Sequence, residues 1–286
     1  MNSDILEAYS RVILAGALSL KKGDRLWLRS EPVHRTLLAR LARMAYEIGA
    51  EHVQVTLEDP LFNRVRVDHS SEGSFLDYVP GYTAAMYDSI VEEGWRSMAL
   101  RGPSDPDLMR GTDPGRLGRM NKSASLARRG FLKAISSNRI PWNVCLAPTE
   151  AWAGKVLGGT GNWEERIWEV LTPILRLDLP DPALAWREHD AELKRRASFL
   201  NEKAFDAFRF SGPGTDLTIG MGPGRIFRGG SSTSSDGTVF FPNIPTEEVF
   251  STPDMKATEG RVSCTSRSPC SVPRWRVPGS FSKEAG

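Results

Sequence analysis

The chain has 286 residues, 40% of them hydrophobic, a length that predicts two domains or one domain with part of another. Its formal net charge is only +2, which argues against a nucleic acid or an anionic membrane as a partner. Its three cysteines show no Cys-x-x-Cys spacing, which argues against a disulfide scaffold and a zinc knuckle. Asp4 and Glu7 stand where a signal peptide needs positive charge, so we expect a cytoplasmic protein.

Helix and strand patterns alternate through the first two thirds of the chain. Apolar spacing predicts helices over 5–20, 34–48, 83–93 and 116–136, and strands over 25–29, 52–57, 97–100 and 143–146. Two more helices are predicted over 165–176 and 182–203. Strands that alternate with helices at this spacing favour parallel pairing through right-handed connections. We therefore predict an α/β domain over residues 1–203, built on an open, mostly parallel sheet.

The composition changes after Phe205. Gly, Thr, Ser and aromatic residues now alternate, which is typical of strands and hairpins, and Asp236-Gly237 has the sequence of a two-residue turn. A strand-rich α+β domain is predicted over 204–262. Residues 263–286 contain three prolines and show neither the apolar spacing of a helix nor the alternation of a strand, so we predict a disordered tail there.

Two adjacent carboxylates, Glu247 and Glu248, follow an aromatic strand and a proline turn near the end of this second domain. Carboxylate oxygens bind zinc and the harder divalent cations, and a carboxylate at the end of a strand can hold a metal for hydrolysis. Successive strand residues point to opposite faces, so only one of the two can enter a given site directly. Which of them does so stays open.

The segment Phe240–Phe250, with residues 211–220 upstream and 251–254 downstream, resembles the thermophilic metallo-aminopeptidase family that includes aminopeptidases T and S. The resemblance spans about residues 1–262. It implies that Glu247 or Glu248 is a metal ligand in a site for two divalent ions, with Zn, Co and Mg as candidates. It further implies a peptide substrate with a free amino end, hydrolysed by metal-activated water, and a homodimer.

The resemblance also implies what the chain lacks. The other ligands of the family come from sequence that has no counterpart here, so we expect an incomplete catalytic domain, weak metal binding and little or no peptidase activity. The tail would then be the aberrant product of a frame shift or a truncation near Val262. The alternative is a non-catalytic α/β binding module that kept the scaffold.

Other chemistry has weaker support in the sequence. There is no Gly-x-Ser-x-Gly motif and no His-Glu-x-x-His motif, and Cys145 falls in a buried strand. Asp216 fits a turn that caps its own backbone better than an outer metal contact. Glycines 220–230 do not have phosphate-loop spacing, and a hairpin is the better interpretation.

Overall fold

A computed structural model of the chain describes residues 3–263. Helices α1–α9 span Ser3–Arg11, Arg35–Ile48, Pro60–His69, Gly81–Glu92, Pro114–Ala127, Arg129–Ser136, Glu150–Leu157, Trp163–Ile174 and Pro182–Lys203. Strands β1–β12 span Arg25–Ser30, His52–Leu57, Arg96–Arg101, Trp142–Leu146, Ala207–Gly212, Thr215–Gly220, Arg228–Gly229, Ser232–Thr233, Val239–Phe240, Asn243–Ile244, Val249–Phe250 and Glu259–Val262. No helix within residues 3–263 is long and apolar enough to cross a lipid bilayer.

The chain divides into two compact units. The first contains the residues up to His189 together with Gly230–Thr246, and the second contains Asp190–Gly229 and the chain from Glu247 onward. The domain boundary expected between residues 203 and 204 stays a prediction. The compact units differ from it in that the segment 230–246 belongs to the first unit.

The first unit is built on a five-stranded sheet of order β10-β4-β3-β1-β2. Every neighbouring pair in this sheet is parallel, as the alternating helix and strand patterns predict. The chain moves from β1 to β2 on one side and then returns to β3 on the other side of β1. This reversal makes the junction of β1 and β3 the topological switch point of the sheet.

Both faces of this sheet are covered. Leu26 and Leu28 of β1 belong to the larger core, which also includes buried residues of α1, α2 and α8. Trp27 points to the opposite face, where it packs with Tyr87 of α4 and Phe131 of α6. Because β1 is covered on both faces, it is buried at five of its six positions, and these include the polar residues Arg29 and Ser30.

Two long helices that the sequence predicts are interrupted in the structure. Helix α1 ends at Arg11, and a π-helical turn continues from Val12 to Ala17. The helix predicted over 116–136 is two helices, α5 and α6, because Arg128 leaves helical geometry at φ −102° and ψ 17°. Gly130 follows, and a Cβ placed there would lie 3.1 Å from Asp88 Oδ1, so a larger residue would crowd this contact.

Two helices are absent from the sequence prediction. Helix α3 starts at Pro60, and the Asp59 side chain accepts a hydrogen bond from the Leu61 amide at its amino end. Helix α7 starts at Glu150, after Thr149, whose side chain accepts a hydrogen bond from the Trp152 amide. The Trp152 side chain is partly buried against the larger core.

The second unit contains an antiparallel sheet of order β12-β6-β5, and the mixed α/β fold class is thereby confirmed. The β5–β6 hairpin turns at residues 213–214, where Gly214 has φ 72°. The side chain of Asn201 bonds both the amide and the carbonyl of Phe227, at 2.8 and 3.0 Å. Ser263 is the last described residue, so all but the first residue of the tail predicted over 263–286 lies outside the described part of the chain.

Candidate functional site

The hairpin before the glutamate pair turns where the sequence predicts, but it is longer than predicted. In the β8–β9 pair Thr233 lies opposite Val239, so residues 234–238 form a five-residue connection instead of a two-residue turn. Asp236 explains the extra length, because its Oδ1 accepts hydrogen bonds from Ser234 Oγ at 2.6 Å and the Thr238 amide at 3.0 Å. The side chain therefore organises the loop from within.

The segment that leads to the glutamates is fixed to the parallel sheet. Strand β10 pairs with β4, and just before it the Val144 amide donates to the Pro242 carbonyl at 2.8 Å. The side-chain amide of Asn143 donates to the Phe241 carbonyl at 2.7 Å. Ile244 is buried in the larger core. Because β10 runs parallel to β4, the chain leaves the sheet at its carboxyl edge, where open α/β sheets bind ligands.

The residue before the glutamate pair is also anchored. Thr246 is buried, and its carbonyl lies 3.0 Å from Nε2 of His189. A carbonyl can only accept, so His189 donates from Nε2. The His189 ring meets Trp186 edge to face, with 5.7 Å between ring centroids. Through this hydrogen bond His189 anchors the backbone at Thr246.

Glu247 and Glu248 themselves are exposed. Strand β11 follows them and pairs antiparallel with β7, with Val249 opposite Gly229. A Cβ placed on Gly229 would lie 2.7 Å from the carbonyl oxygen of Glu248, so only glycine allows this approach of the two backbones. The backbone on either side of the pair is therefore fixed, while both glutamates are exposed residues.

The described residues do not assemble a complete metal site. Among residues 3–263, no group of three or more His, Cys, Asp or Glu side chains lies close enough to hold one ion. A catalytic zinc takes three protein ligands and a water. The carboxylates of Glu247 and Glu248 have the right chemistry for a divalent cation, but the part of the chain that the structure describes supplies too few donors around them.

Other side chains that have the chemistry of a metal ligand or a nucleophile take part in structural contacts. Asp216 lies in β6, opposite Ser211 of β5, and not in the turn that we expected. Its carboxylate lies 3.2 Å from the guanidinium of Arg209. Burial raises the pKa of the Cys145 thiol well above its usual value, which keeps it from acting as a nucleophile. His34 Nδ1 lies 2.8 Å from Ser30 Oγ within the first unit.

Comparison with known proteins identifies the family. The sequence profile of the thermophilic metalloprotease (M29) family matches residues 2–272. The chain belongs to the M29 family. The resemblance deduced from the glutamate motif is thereby confirmed.

The M29 relatives are aminopeptidases by name. Aminopeptidase 2 of Geobacillus stearothermophilus is 33% identical over 262 residues, which cover 91% of this chain and 63% of the relative. Aminopeptidase T of Thermus aquaticus is 34% identical over 260 residues, with 90% of this chain and 63% of the relative covered. The chain thus spans less than two thirds of the length of these relatives.

A solved M29 structure has the same fold. The structure of wild-type AmpT from Thermus thermophilus matches with a TM-score of 0.81 at 28% sequence identity. The match covers 90% of this chain and 63% of the AmpT chain. The α/β architecture that the sequence predicts is therefore shared with a solved member of the family.

Proposed function

We propose that this M29 protein has the architecture of a metal-dependent aminopeptidase, an enzyme that releases amino-terminal residues from peptides with a free amino end, and that this activity is impaired in the present chain. The observation that supports the proposal is the carboxylate pair Glu247 and Glu248, which follows directly after the anchored residue Thr246. Aminopeptidase names among relatives at 33% and 34% identity support the same activity. Cytoplasmic localisation, a peptide substrate, homodimer formation, and the lack of nucleic-acid or membrane partners are further parts of the proposal.

One of the two glutamates is proposed to supply a carboxylate to a divalent ion. A complete site would hold two ions, with Zn, Co and Mg as the candidates, and would polarise the scissile carbonyl and activate a water. The contribution of this chain is positional: β10 and Thr246 fix the backbone from which Glu247 and Glu248 project. Since the described residues gather fewer than three ligands, we propose weak metal binding and little or no peptidase activity.

The incomplete donor set also favours a second candidate function. A chain that keeps the α/β scaffold without a metal centre could serve as a non-catalytic binding module. The number of ions bound per chain separates the two functions, because the enzyme requires them and the module does not.

Metal titration tests the proposal. The metal-free full chain is titrated with Zn²⁺ and Co²⁺ by calorimetry, alongside Glu247→Ala, Glu248→Ala and the matched control Glu259→Ala, an exposed glutamate of β12. We expect weak binding that one of the first two substitutions reduces about tenfold, the effect of losing one charged contact, whereas the control changes little. Absence of any binding would favour the module.

Hydrolysis of leucine-p-nitroanilide with added Co²⁺ or Zn²⁺ is the companion assay. We expect little or no turnover by the parent chain. Two bound ions together with turnover that disappears in Glu247→Ala or Glu248→Ala would support the enzyme and overturn the proposed impairment.

A further inference from the structure

Arg29 is a buried cation without a carboxylate partner among residues 3–263. Its side chain lies in β1 and the residue is 8% exposed. The guanidinium carbon lies 4.3 Å from the centroid of the Trp27 ring and 5.3 Å from that of Phe131. Nη2 makes a long hydrogen bond of 3.4 Å to Ser97 Oγ, and Nε has no partner among residues 3–263. Burial of an unpaired charge is costly, so this position calls for an anion.

A second arginine stands on the same face of the sheet. The β1–β3 register places Arg29 opposite Ala99, and Arg101 follows Ala99 by two residues. Since side chains two residues apart leave a strand on the same face, Arg101 lies beside Arg29 and one pleat nearer the carboxyl edge. This edge is the switch point between β1 and β3, the usual place for ligands in open α/β sheets.

Arg128 adds a third guanidinium from the helical layer. It lies three residues before Phe131, whose ring contacts Arg29, and immediately before the first residue of α6. Arg128 Nε is buried and has no partner in the described part of the chain. Burial lowers the pKa of Arg29, the charge of Glu58 opposes this, and the charges of Arg101 and Arg128 lower it further.

We propose that Arg29, Arg101 and Arg128 form a binding site for a small oxyanion at the switch point of the parallel sheet. The planar guanidinium fork matches the oxygens of phosphate and carboxylate groups. With Glu58 as the opposing charge, three arginines leave two positive charges, which suits a phosphate dianion better than a single carboxylate. The aromatic rings of Trp27 and Phe131 hold the Arg29 plane in place for it.

To test the site, the folded full chain is titrated with inorganic phosphate in a calorimeter. A separate titration uses acetate, which represents a carboxylate ligand. Arg101→Met and Arg128→Met remove one proposed contact each. Arg43→Met is the matched control, since Arg43 lies on the exposed surface of α2 beside Glu47. We expect one phosphate per chain, an affinity about tenfold weaker in each of the first two variants, and an affinity within about twofold of the parent in the control.

Comparison of the phosphate and acetate affinities shows which kind of oxyanion the site prefers. Tighter binding of phosphate assigns a phosphate group, and equal or tighter binding of acetate assigns a carboxylate. No saturable binding of either, or binding that Arg101→Met and Arg128→Met leave unchanged, overturns the site.

A conservative variant keeps the test independent of folding and of catalysis. Arg101 is exposed and Arg128 half-buried, so both Met variants should fold, which circular dichroism checks. Arg29→Lys retains the buried charge but removes the Nε donor and the planar fork, and we expect weaker phosphate binding from it. The measured quantity is anion binding, so the result does not depend on whether the chain has peptidase activity.

Discussion

Gly102 shows how closely two segments approach each other at the carboxyl edge of the parallel sheet. A Cβ placed on this residue would lie 1.6 Å from the carbonyl oxygen of Ala147 and 3.5 Å from Nε2 of His34. The nearer atom belongs to the backbone and cannot swing aside as the end of a long side chain does. The position therefore requires glycine for reasons of space alone.

We expect Gly102→Ala to lower the free energy of unfolding by about 1–3 kcal/mol, the usual cost of overpacking. Gly118→Ala is the control, because nothing lies within 4 Å of its Cβ position in α5. That change should raise stability by about 0.5–1 kcal/mol through helix propensity. Urea unfolding followed by tryptophan fluorescence measures both. Equal effects of the two substitutions would contradict the argument.

His34 should make stability depend on pH. It is 6% exposed, and burial lowers its pKa, although Glu31 and the Ala147 carbonyl favour the charged form. An unfolded histidine has a pKa of about 6.5, so on acidification the unfolded chain takes up the proton first. Stability is thus fully present above about pH 6.5 and is lost as the pH falls from there toward the lower folded pKa.

The measurement is the free energy of unfolding between about pH 5 and 8 for the parent chain and His34→Gln. We expect a shallower slope below pH 6.5 in the variant, with a difference of at most about 1.4 kcal/mol per pH unit for one proton. His69→Gln, at an exposed position, should keep the parent slope. A parent slope retained in His34→Gln would assign the effect to other groups.

At the scale of elements, α3 shows where apolar spacing fails to predict a helix. Leu61, Phe62 and Val65 are exposed, and Val67 is its one buried residue. A helix without an apolar stripe gives no periodic signal. The local signal was present, because Asp59 followed by proline is a capping residue followed by the favoured first helical residue.

Asp59→Ala should therefore cost about 1 kcal/mol of stability, the typical value for a lost helix cap. Asp59→Asn keeps an accepting oxygen and should cost little. Hydrogen exchange of the Leu61 amide, which donates to Asp59 Oδ1, reports the cap directly and should accelerate only in the alanine variant. Similar exchange in both variants would show that the side chain does not cap the helix.

The sequence indicates Glu247 and Glu248 as candidate metal ligands, which stays a prediction, but it does not indicate the contacts that anchor their backbone. Strand β2 was predicted with its observed bounds because six residues suffice to show a pattern. Strand β10 has two residues, too few for alternation, and its anchors are distant in sequence. Asn143 reaches Phe241 across 98 positions, and His189 reaches Thr246 across 57. Such contacts depend on the folded sheet, which local patterns do not encode.

At the scale of the whole molecule, the stability of the first unit should depend on the segment 230–246. Seven of the eight tryptophans lie at or before Trp186 and belong to the first unit, so tryptophan fluorescence reports mainly on that unit; the eighth, Trp275, lies outside the described residues. Phe241 is 5% exposed and its ring centroid lies 6.2 Å from that of Trp186. Tryptophan fluorescence can therefore measure how much the segment 230–246 contributes to the stability of the first unit.

We expect Phe241→Ala to lower the unfolding free energy seen by tryptophan fluorescence by about 3–5 kcal/mol, as for other buried aromatic residues. Val239→Ala, at a residue that is 49% exposed in the same segment, should change it by about 0.5 kcal/mol or less. A small effect of both substitutions would show that the segment contributes little to the core of the first unit.

The return of residues 230–246 to the first unit has an evolutionary consequence. The polypeptide passes between the units three times, after residues 189, 229 and 246. A single crossover between genes would therefore split one unit or the other, and only a rearrangement with several break points could transfer either one whole. We therefore expect the two units to be inherited together and to evolve as a single segment of the gene.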